Sequence, residues 1–163
     1  MHRIQYIAYI IGAFFIYLMA GCVSRPEFPI EPAIEFISME GNQMVQNSFN
    51  TDSIRVTFSF TDGDGDLGDK DSLNIFIRDN RDQFIASKYR LPELPPEGAQ
   101  RGIRGEITVT IYTTCCIYPD GTPPCEPSNK YPTDTLQYEI FIRDRAGNVS
   151  NTITTDPIII LCQ

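Results

Sequence analysis

Apolar and polar residues alternate with a period of two along most of the chain after residue 33. In "SIRVTFSF" (53–60) every second residue is apolar and the others are polar or charged. The same alternation occurs in "LNIFIRD" (73–79), "EITVTIY" (106–112) and "TLQYEIFIRD" (135–144). These runs are rich in β-branched and aromatic residues and are separated by Gly, Pro, Asn and Asp, which is typical of half-buried antiparallel strands.

Seven such runs predict an all-β protein, and no stretch after Cys22 has the apolar stripe of a helix. The strands are expected near residues 34–39, 53–60, 73–79, 83–90, 104–112, 135–143 and 149–161. Seven short strands in one domain predict a seven-stranded antiparallel immunoglobulin-like sandwich. An eight-stranded barrel or jelly roll is the alternative.

Alternating strand directions also predict which loops lie together. The acidic loop (61–72), the Pro-rich loop (91–103) and the turn "DRAGN" (144–148) should share one end of the sandwich. The cysteine loop (113–134) and the carboxyl terminus should share the other end. The segment that precedes the first strand should enter at the acidic end.

The first 22 residues, "MHRIQYIAYIIGAFFIYLMAGC", have a short basic start, an apolar run and small residues before Cys22. This is the layout of a secretory signal peptide. The segment "LMAGC" (18–22) resembles the lipobox of bacterial lipoproteins. That resemblance implies cleavage after Gly21, a diacylglyceryl group on Cys22 and acylation of the new amino terminus. An uncleaved anchor and an ordinary cleavage site are the alternatives.

This organisation divides the chain into three parts. They are a lipoprotein signal peptide (1–21), the lipidated Cys22 with a flexible Pro-rich tether (22–33), and one immunoglobulin-like domain (34–163). Loss of Arg3 with the signal would leave 12 Lys and Arg against 21 Asp and Glu, so the net charge would change from −8 to −9. Such a charge argues against nucleic acid as a partner and against adsorption to anionic lipid. The expected membrane partner is therefore the bilayer that receives the lipid anchor.

Four cysteines follow Cys22, and an even number outside the cytoplasm predicts two disulfides. Adjacent residues of an extended segment point to opposite faces, so Cys115 and Cys116 should have different partners. Continuing the inward parity of the strand at 106–112 turns Cys115 inward. We therefore expect Cys115–Cys162 and Cys116–Cys125, with the exchanged pairing as the alternative. A four-thiolate metal site would need the C-x₂-C spacing, which is missing.

The acidic segment "DGDGDLG" (62–68) is a candidate calcium site. Its alternating aspartates match the first, third and fifth ligands of an EF-hand loop, but Leu67 and Leu73 occupy the places of the required Gly and Glu. A different calcium site remains, since "DRAGN" is expected at the same end. Its ligands would be Asp62, Asp64, Asp66 and Asp144. The alternative is a solvated turn in which glycines supply positive φ and aspartates cap amides. No other cofactor is expected.

Phe76 and Phe141 interrupt the polar faces of two strands that should be neighbours. Both rings should lie on one outer surface, with Arg78 and Arg143 nearby. An exposed aromatic pair flanked by arginine is a candidate binding patch for an envelope protein or a glycan. The alternative is that the rings only cover each other or a loop.

The residue types argue against an enzyme. The one histidine, His2, lies in the signal, which excludes His-based catalysis in the mature chain. A hydrolase with paired carboxylates is the remaining enzymatic alternative, but the sequence predicts no cleft with two buried acids. The polar and prolyl residues 118–131 of the cysteine loop are the first candidate for a protein contact.

Four segments in this order, "LMAGC", "FTDGDGDLG", "YTTCCIYPDGTPPC" and "RDRAGN", resemble a family of small Bacteroidetes lipoproteins with one immunoglobulin-like domain. The resemblance implies this fold and a location in the cell envelope, but no activity. The expected site of the lipid anchor is the outer membrane. The expected function is a membrane-anchored, non-enzymatic binding or structural role. The alternative is a calcium-dependent carbohydrate-binding or adhesion module.

Overall fold

A computed structural model describes residues 28–94 and 102–163. The predicted signal peptide, Cys22 and most of the tether lie outside these residues. The described chain contains ten strands and no helix, so none of it is a helix able to cross a membrane. The strands are β1 (Ala33–Glu40), β2 (Gln43–Val45), β3 (Ser53–Asp62), β4 (Ile75–Asp79), β5 (Ile85–Tyr89), β6 (Ile103–Tyr112), β7 (Thr133–Leu136), β8 (Tyr138–Ile142), β9 (Ile153–Thr154) and β10 (Ile158–Leu161).

The strands form three sheets with the orders β1-β3-β6, β5-β4-β8-β9 and β2-β10-β7. All neighbouring strands are antiparallel except β2 and β10, which are parallel. The all-β class is confirmed, and the arrangement is that of a β-sandwich. The predicted number of seven strands is wrong, and so is a purely antiparallel arrangement, because of the β2–β10 pair.

The extra strands have local causes. Strand β2 is three residues long with one buried side chain, Met44, so it carries too little alternation to detect. The predicted strand at 135–143 is interrupted at Gln137, whose backbone N donates to Asn80 Oδ1 at 2.9 Å and whose Nε2 donates to Thr155 O at 2.8 Å. The last predicted strand is interrupted just before Ile158, where Pro157 cannot donate to a ladder.

The alternation places one face of each larger sheet in a common core. In the first sheet Val56 pairs with Val109, and in the second Ile77 pairs with Ile140. All four side chains are almost fully buried. Burying a side chain of this size contributes about 1.5 to 3 kcal/mol, so the periodic residues supply the main stabilisation. This core fixes the strand ends on which the loops are mounted.

The loops meet as the strand directions predict. Asp69 N donates to Leu91 O at 3.0 Å, and Ala146 N donates to Asp66 Oδ2 at 2.9 Å. The acidic loop therefore contacts both the described start of the Pro-rich loop and the turn at 144–148. The cysteine loop lies with the carboxyl terminus, to which Cys116 joins it through a disulfide.

Candidate metal centre

Three carboxylates converge at the acidic end of the sandwich. Asp62 is the last residue of β3, Asp66 follows it in the acidic loop, and Asp144 lies two residues after the end of β8. One carboxylate oxygen from each residue lies within 4.8 Å of the other two. Asp62 and Asp144 are buried and Asp66 is half-buried, so the cluster is part of the folded interior at this end.

Local backbone amides hold each carboxylate in place. The donors are Leu67 N to Asp62 Oδ2 at 2.7 Å, Ala146 N to Asp66 Oδ2 at 2.9 Å, and Asn148 N and Nδ2 to Asp144 Oδ1 and Oδ2, both at 2.8 Å. The Asp62 bond spans five residues and closes the acidic loop, while Leu67 is buried in the core. The carboxylates are therefore oriented before any ligand arrives.

Two oxygens of the cluster have no hydrogen-bond partner among the described residues. They are Oδ1 of Asp62 and Oδ1 of Asp66, and both are buried. A buried polar oxygen without a partner is destabilising, and a buried charge without one is more so. In each residue the backbone uses one oxygen and leaves the other free, which is the arrangement expected of a carboxylate that binds a cation.

The electrostatics of the cluster also favour a cation. Burial raises the pKa of Asp62 to about 6, with further increases from the carboxylates of Asp64 and Asp66, against the lowering effect of the Leu67 amide. Burial and the charges of Asp144 and Asp64 raise the pKa of Asp66 as well, although Arg145 and the Ala146 amide oppose this. The three negative charges therefore repel one another unless a proton or a cation is present.

An internal repeat shows how the protein treats a similar carboxylate elsewhere. The sequence "IFIRD" occurs in β4 (75–79) and again at 140–144, and the two copies pair antiparallel with Phe76 opposite Phe141. Each copy therefore ends in a buried aspartate, at opposite ends of the sheet. Asp79 is neutralised by Arg81, whose Nη2 lies 2.6 Å from Asp79 Oδ2. The alternation pattern does not predict this network, although the repeat points to the equivalence of Asp79 and Asp144.

Asp144, the equivalent residue in the second copy, has no such partner in the part of the chain described. Of the two flanking arginines, Arg145 donates to Gly68 O at 3.2 Å and pairs with Glu93 at 3.4 Å, and the guanidinium of Arg143 lies over the ring of Phe76. None of the three clustered aspartates forms an ion pair with a described residue. The three carboxylates therefore lie together without a cationic side chain from the described residues.

The fourth predicted ligand, Asp64, lies outside the group. It is exposed, and its Oδ1 accepts a hydrogen bond from Asp66 N at 3.4 Å. The structure therefore brings together Asp62, Asp66 and Asp144 of the predicted set. Asp64 contributes negative charge from the solvent side of the loop.

An all-oxygen set of donors suits a hard cation and not zinc, which prefers nitrogen and sulfur. Calcium binds oxygens at about 2.3 to 2.6 Å, so two ligands of one ion are at most about 5 Å apart. The separations within 4.8 Å fit this limit. Calcium also tolerates irregular geometry, whereas magnesium demands a near-ideal octahedron.

The predicted disulfide pairing is wrong, and the exchanged pairing is the one in the structure. Cys115 is bonded to Cys125 and Cys116 to Cys162, with Cα atoms 4.7 and 5.9 Å apart. The inward parity of β6 extends to Thr113, which is buried, and ends there because the strand itself stops at Tyr112. Cys116, which the parity turned outward, is fully buried beside the last strand.

The predicted aromatic patch lies on the outer face of the β5-β4-β8-β9 sheet. The rings of Phe76 and Phe141 stack with centroids 5.1 Å apart. The guanidinium of Arg78 lies 5.8 Å from the centroid of Phe141, and that of Arg143 lies 5.2 Å from the centroid of Phe76. Arg78 is also paired with Glu139 at 2.6 Å, whereas no described carboxylate pairs with Arg143.

The amino-terminal segment meets the sandwich beside the cluster. Gly63 follows Asp62, and its N donates to Pro29 O at 2.8 Å. A Cβ on Gly63 would lie 2.3 Å from Phe28 O, so this approach requires glycine. The chain that leads from the predicted tether is thus held by the residue next to a candidate metal ligand.

Comparison with protein-family models finds no match, and comparison with curated proteins finds no significantly similar sequence.

Proposed function

We propose that the protein is a calcium-binding, lipid-anchored β-sandwich of the cell envelope with a non-enzymatic binding or structural role. The observation that carries the calcium part is the pair of buried oxygens, Oδ1 of Asp62 and of Asp66, that have no partner among the described residues. Calcium would be coordinated by both oxygens and by Asp144. It would also neutralise the cluster, in which burial and mutual repulsion raise the pKa of Asp62 and Asp66.

The proposed role of the ion is to join segments that are distant in sequence. Its ligands would come from the end of β3, from the acidic loop and from the turn after β8. Gly63, next to Asp62, binds the backbone of Pro29. Calcium would therefore brace the end of the sandwich at which the tether enters, and calcium concentration would set how firmly the domain is held there.

A non-enzymatic role is supported by what surrounds the carboxylates. Asp62 is fully buried and is held by Leu67 N, so a substrate has no access to it. Paired-carboxylate hydrolysis needs both acids beside a bound substrate. The four cysteines after Cys22 are joined in disulfides, which removes them as nucleophiles.

An immunoglobulin-like classification is part of the proposal. Its support is the pairing of β3 with β6 in one sheet and of β4 with β8 in the other, with β1 and β5 at two of the edges. This resembles the strand order of such sandwiches, in which the third and sixth of seven strands pair across a crossover. The two larger sheets hold seven strands, and β2, β7 and β10 of the third sheet would then be additions to the common seven.

The lipid anchor rests on the sequence alone. The segment "LMAGC" would place a diacylglyceryl group on Cys22, and acylation at two positions gives stable attachment to a bilayer. The outer membrane is the proposed location, following the resemblance to Bacteroidetes lipoproteins. Palmitate labelling of the wild type and of Cys22→Ala tests this, because undiminished labelling of the variant would reject the anchor.

Calorimetric titration of the full-length protein in detergent with calcium tests the metal site. We expect one ion to bind, and we expect Asp144→Asn and Asp62→Asn to weaken binding at least tenfold. Asp71→Asn is the matched control, since Asp71 is an exposed carboxylate of the same loop that lies outside the cluster and does not contribute to the raised pKa of Asp62 or Asp66. Absence of heat in the wild type, or equal binding by Asp144→Asn, would show that the cluster is not a calcium site.

A further inference from the structure

A polar cleft adjoins the proposed calcium site. It has a volume of about 250 Å³ and lies between the start of β4 and the turn at 144–148. Its lining includes Ser72, Leu73, Arg143, Asp144 and Arg145. Asp144 belongs both to this cleft and to the carboxylate cluster, so a molecule in the cleft would lie next to the cation.

Arg143 supplies a fixed cationic group at this cleft. Its side chain is exposed, and its guanidinium is held over the ring of Phe76 at 5.2 Å from the centroid. No ion pair or side-chain hydrogen bond to a described residue occupies its donors. A planar guanidinium that is already stacked has lost part of its freedom and binds a carboxylate with two parallel hydrogen bonds.

The rest of the lining suits a small polyhydroxylated molecule. Ser72 offers a hydroxyl, and Asp69 offers a carboxylate whose pKa is lowered by the amide hydrogen bonds of Asp71 and Ser72 and which therefore stays ionised. Leu73 is 47% exposed and provides an apolar contact. The volume lies below the range that holds a drug-sized ligand, which fits one sugar ring.

The charges make binding of an anion depend on the metal. Asp62, Asp66, Asp69 and Asp144 lie in or beside the cleft, against the two cations Arg143 and Arg145. Without a metal the excess of negative charge repels an anionic ligand. Asp64 and Glu93, which pairs with Arg145, add to that excess. A calcium ion would reduce it and leave Arg143 free to attract a carboxylate.

From this juxtaposition we infer that the cleft binds an acidic sugar of the uronic acid type, with its carboxylate on Arg143, when calcium occupies the adjoining cluster. The inference rests on the proposed calcium site and adds the chemical class of the ligand. The shared residue Asp144 couples the two sites, so binding of either ligand would favour binding of the other.

Saturation-transfer NMR on the full-length protein in detergent micelles tests the inference with galacturonic acid as the probe. We expect transfer to galacturonate in calcium, at least tenfold less transfer in chelator, and little transfer to galactose. Arg143→Gln should weaken binding at least tenfold. Arg55→Gln removes an exposed arginine far from the cleft and should leave binding unchanged, and thermal unfolding checks that both variants are folded.

Results that differ from these would each contradict one part of the inference. Equal transfer to galactose, or equal binding by Arg143→Gln, would overturn recognition of the carboxylate by Arg143. Competition by acetate as strong as that by galacturonate would overturn the sugar. Binding that persists in chelator would overturn the dependence on calcium. A calorimetric calcium titration on the same sample separates this inference from the proposed function, because calcium that binds without galacturonate rejects only the former.

Discussion

Asp79 and Asp144 end the two copies of "IFIRD" at opposite ends of one sheet, and within the described residues only Asp79 is paired with a cation. Arg81 Nε lies 3.0 Å from Asp79 Oδ1, and Arg81 Nη1 also pairs with Asp134. Asp144 instead faces two further carboxylates, Asp62 and Asp66. The same local sequence therefore ends in an ion network that contains an arginine at the cysteine end, and in a cluster of carboxylates alone at the end that residues 28–29 contact.

The carboxylate cluster predicts an unusual pH dependence of stability in calcium-free buffer. The folded-state pKa of Asp62 is about 6, above the value of about 3.9 expected in the unfolded chain. The folded state therefore binds the proton more tightly. The contribution of protonated Asp62 to the free energy of unfolding is full below about pH 4 and is lost as the pH rises through 6. We expect urea unfolding to show this loss between pH 4.5 and 7.5, on the order of 2 kcal/mol.

Asp62→Asn isolates this contribution, because other carboxylates titrate in the same range. The free energy of unfolding of the wild type, minus that of the variant, should fall with increasing pH without calcium. Saturating calcium should reverse the trend, since the ion replaces the proton. A difference that is independent of pH would mean that Asp62 titrates normally.

The ion network at the other end predicts a large effect of Arg81→Met. Arg81 is about 10% exposed and joins Asp79 to Asp134, which also accepts a hydrogen bond from Ile117 N. Its removal leaves the buried carboxylate of Asp79 and the half-buried one of Asp134 without their cation, which costs about 3 to 5 kcal/mol. Urea unfolding at pH 7 measures this loss.

Arg55→Met is the matched control for Arg81→Met. Arg55 pairs with Glu40 on the surface, and both side chains are more than half exposed. Such a pair contributes less than about 1 kcal/mol. Similar losses in the two variants would show that the Arg81 network is not a buried structural element.

The two disulfides should differ in their effect on stability. Cys116–Cys162 spans 46 residues and is buried, whereas Cys115–Cys125 spans 10. Loop-closure entropy gives about 4 kcal/mol for the longer bridge and about 2.7 kcal/mol for the shorter one. Replacing both cysteines of each bridge by serine and measuring unfolding should give this order.

A single replacement checks the connectivity directly. Cys125→Ser should free one thiol, and tandem mass spectrometry after alkylation should locate that thiol at Cys115. The bridge from Cys116 to the carboxyl-terminal peptide should remain. Label at Cys116 would instead support the pairing that the parity of β6 predicted.

The period-two pattern was sufficient to predict the class of the fold, and the expected sandwich made the strands of Phe76 and Phe141, now β4 and β8, neighbours in one sheet. It placed Phe76 beside Phe141 because both interrupt a polar face, and the structure stacks the two rings. Parity failed at Cys115 because it holds only while the strand continues, and β6 ends at Tyr112. The residues after Tyr112 contain no Pro or Gly before Pro119, so no local signal in the sequence marks the end of β6.

The candidate site was predictable in part for the same reason. The alternating strand directions placed Asp144 at the same end of the sandwich as the acidic loop. The burial of Asp62 follows the inward parity of β3, which extends two residues beyond the predicted strand 53–60. Composition opposes that prediction, because an aspartate in a Gly-rich segment normally faces water. Leu67, which is buried in the core, donates its amide to the carboxylate from the loop side.

Substitution of Gly63 should show whether the contact of residues 28–29 with the sandwich is coupled to the carboxylate cluster. In Gly63→Ala the added Cβ would lie 2.3 Å from Phe28 O and 2.4 Å from Pro29 O, so this backbone must move. The hydrogen bond from the amide of residue 63 to Pro29 O would break, and hydrogen exchange at this amide should accelerate at least tenfold.

Gly121→Ala is the matched control: Gly121 has a φ of +79° but open space around it, so its replacement introduces backbone strain without a steric clash. If Gly63→Ala changed neither exchange nor calcium affinity, the amino-terminal segment would not be coupled to the cluster through this residue. A lower calcium affinity together with faster exchange would show that the metal ligand Asp62 and the attachment of residues 28–29 stabilise each other.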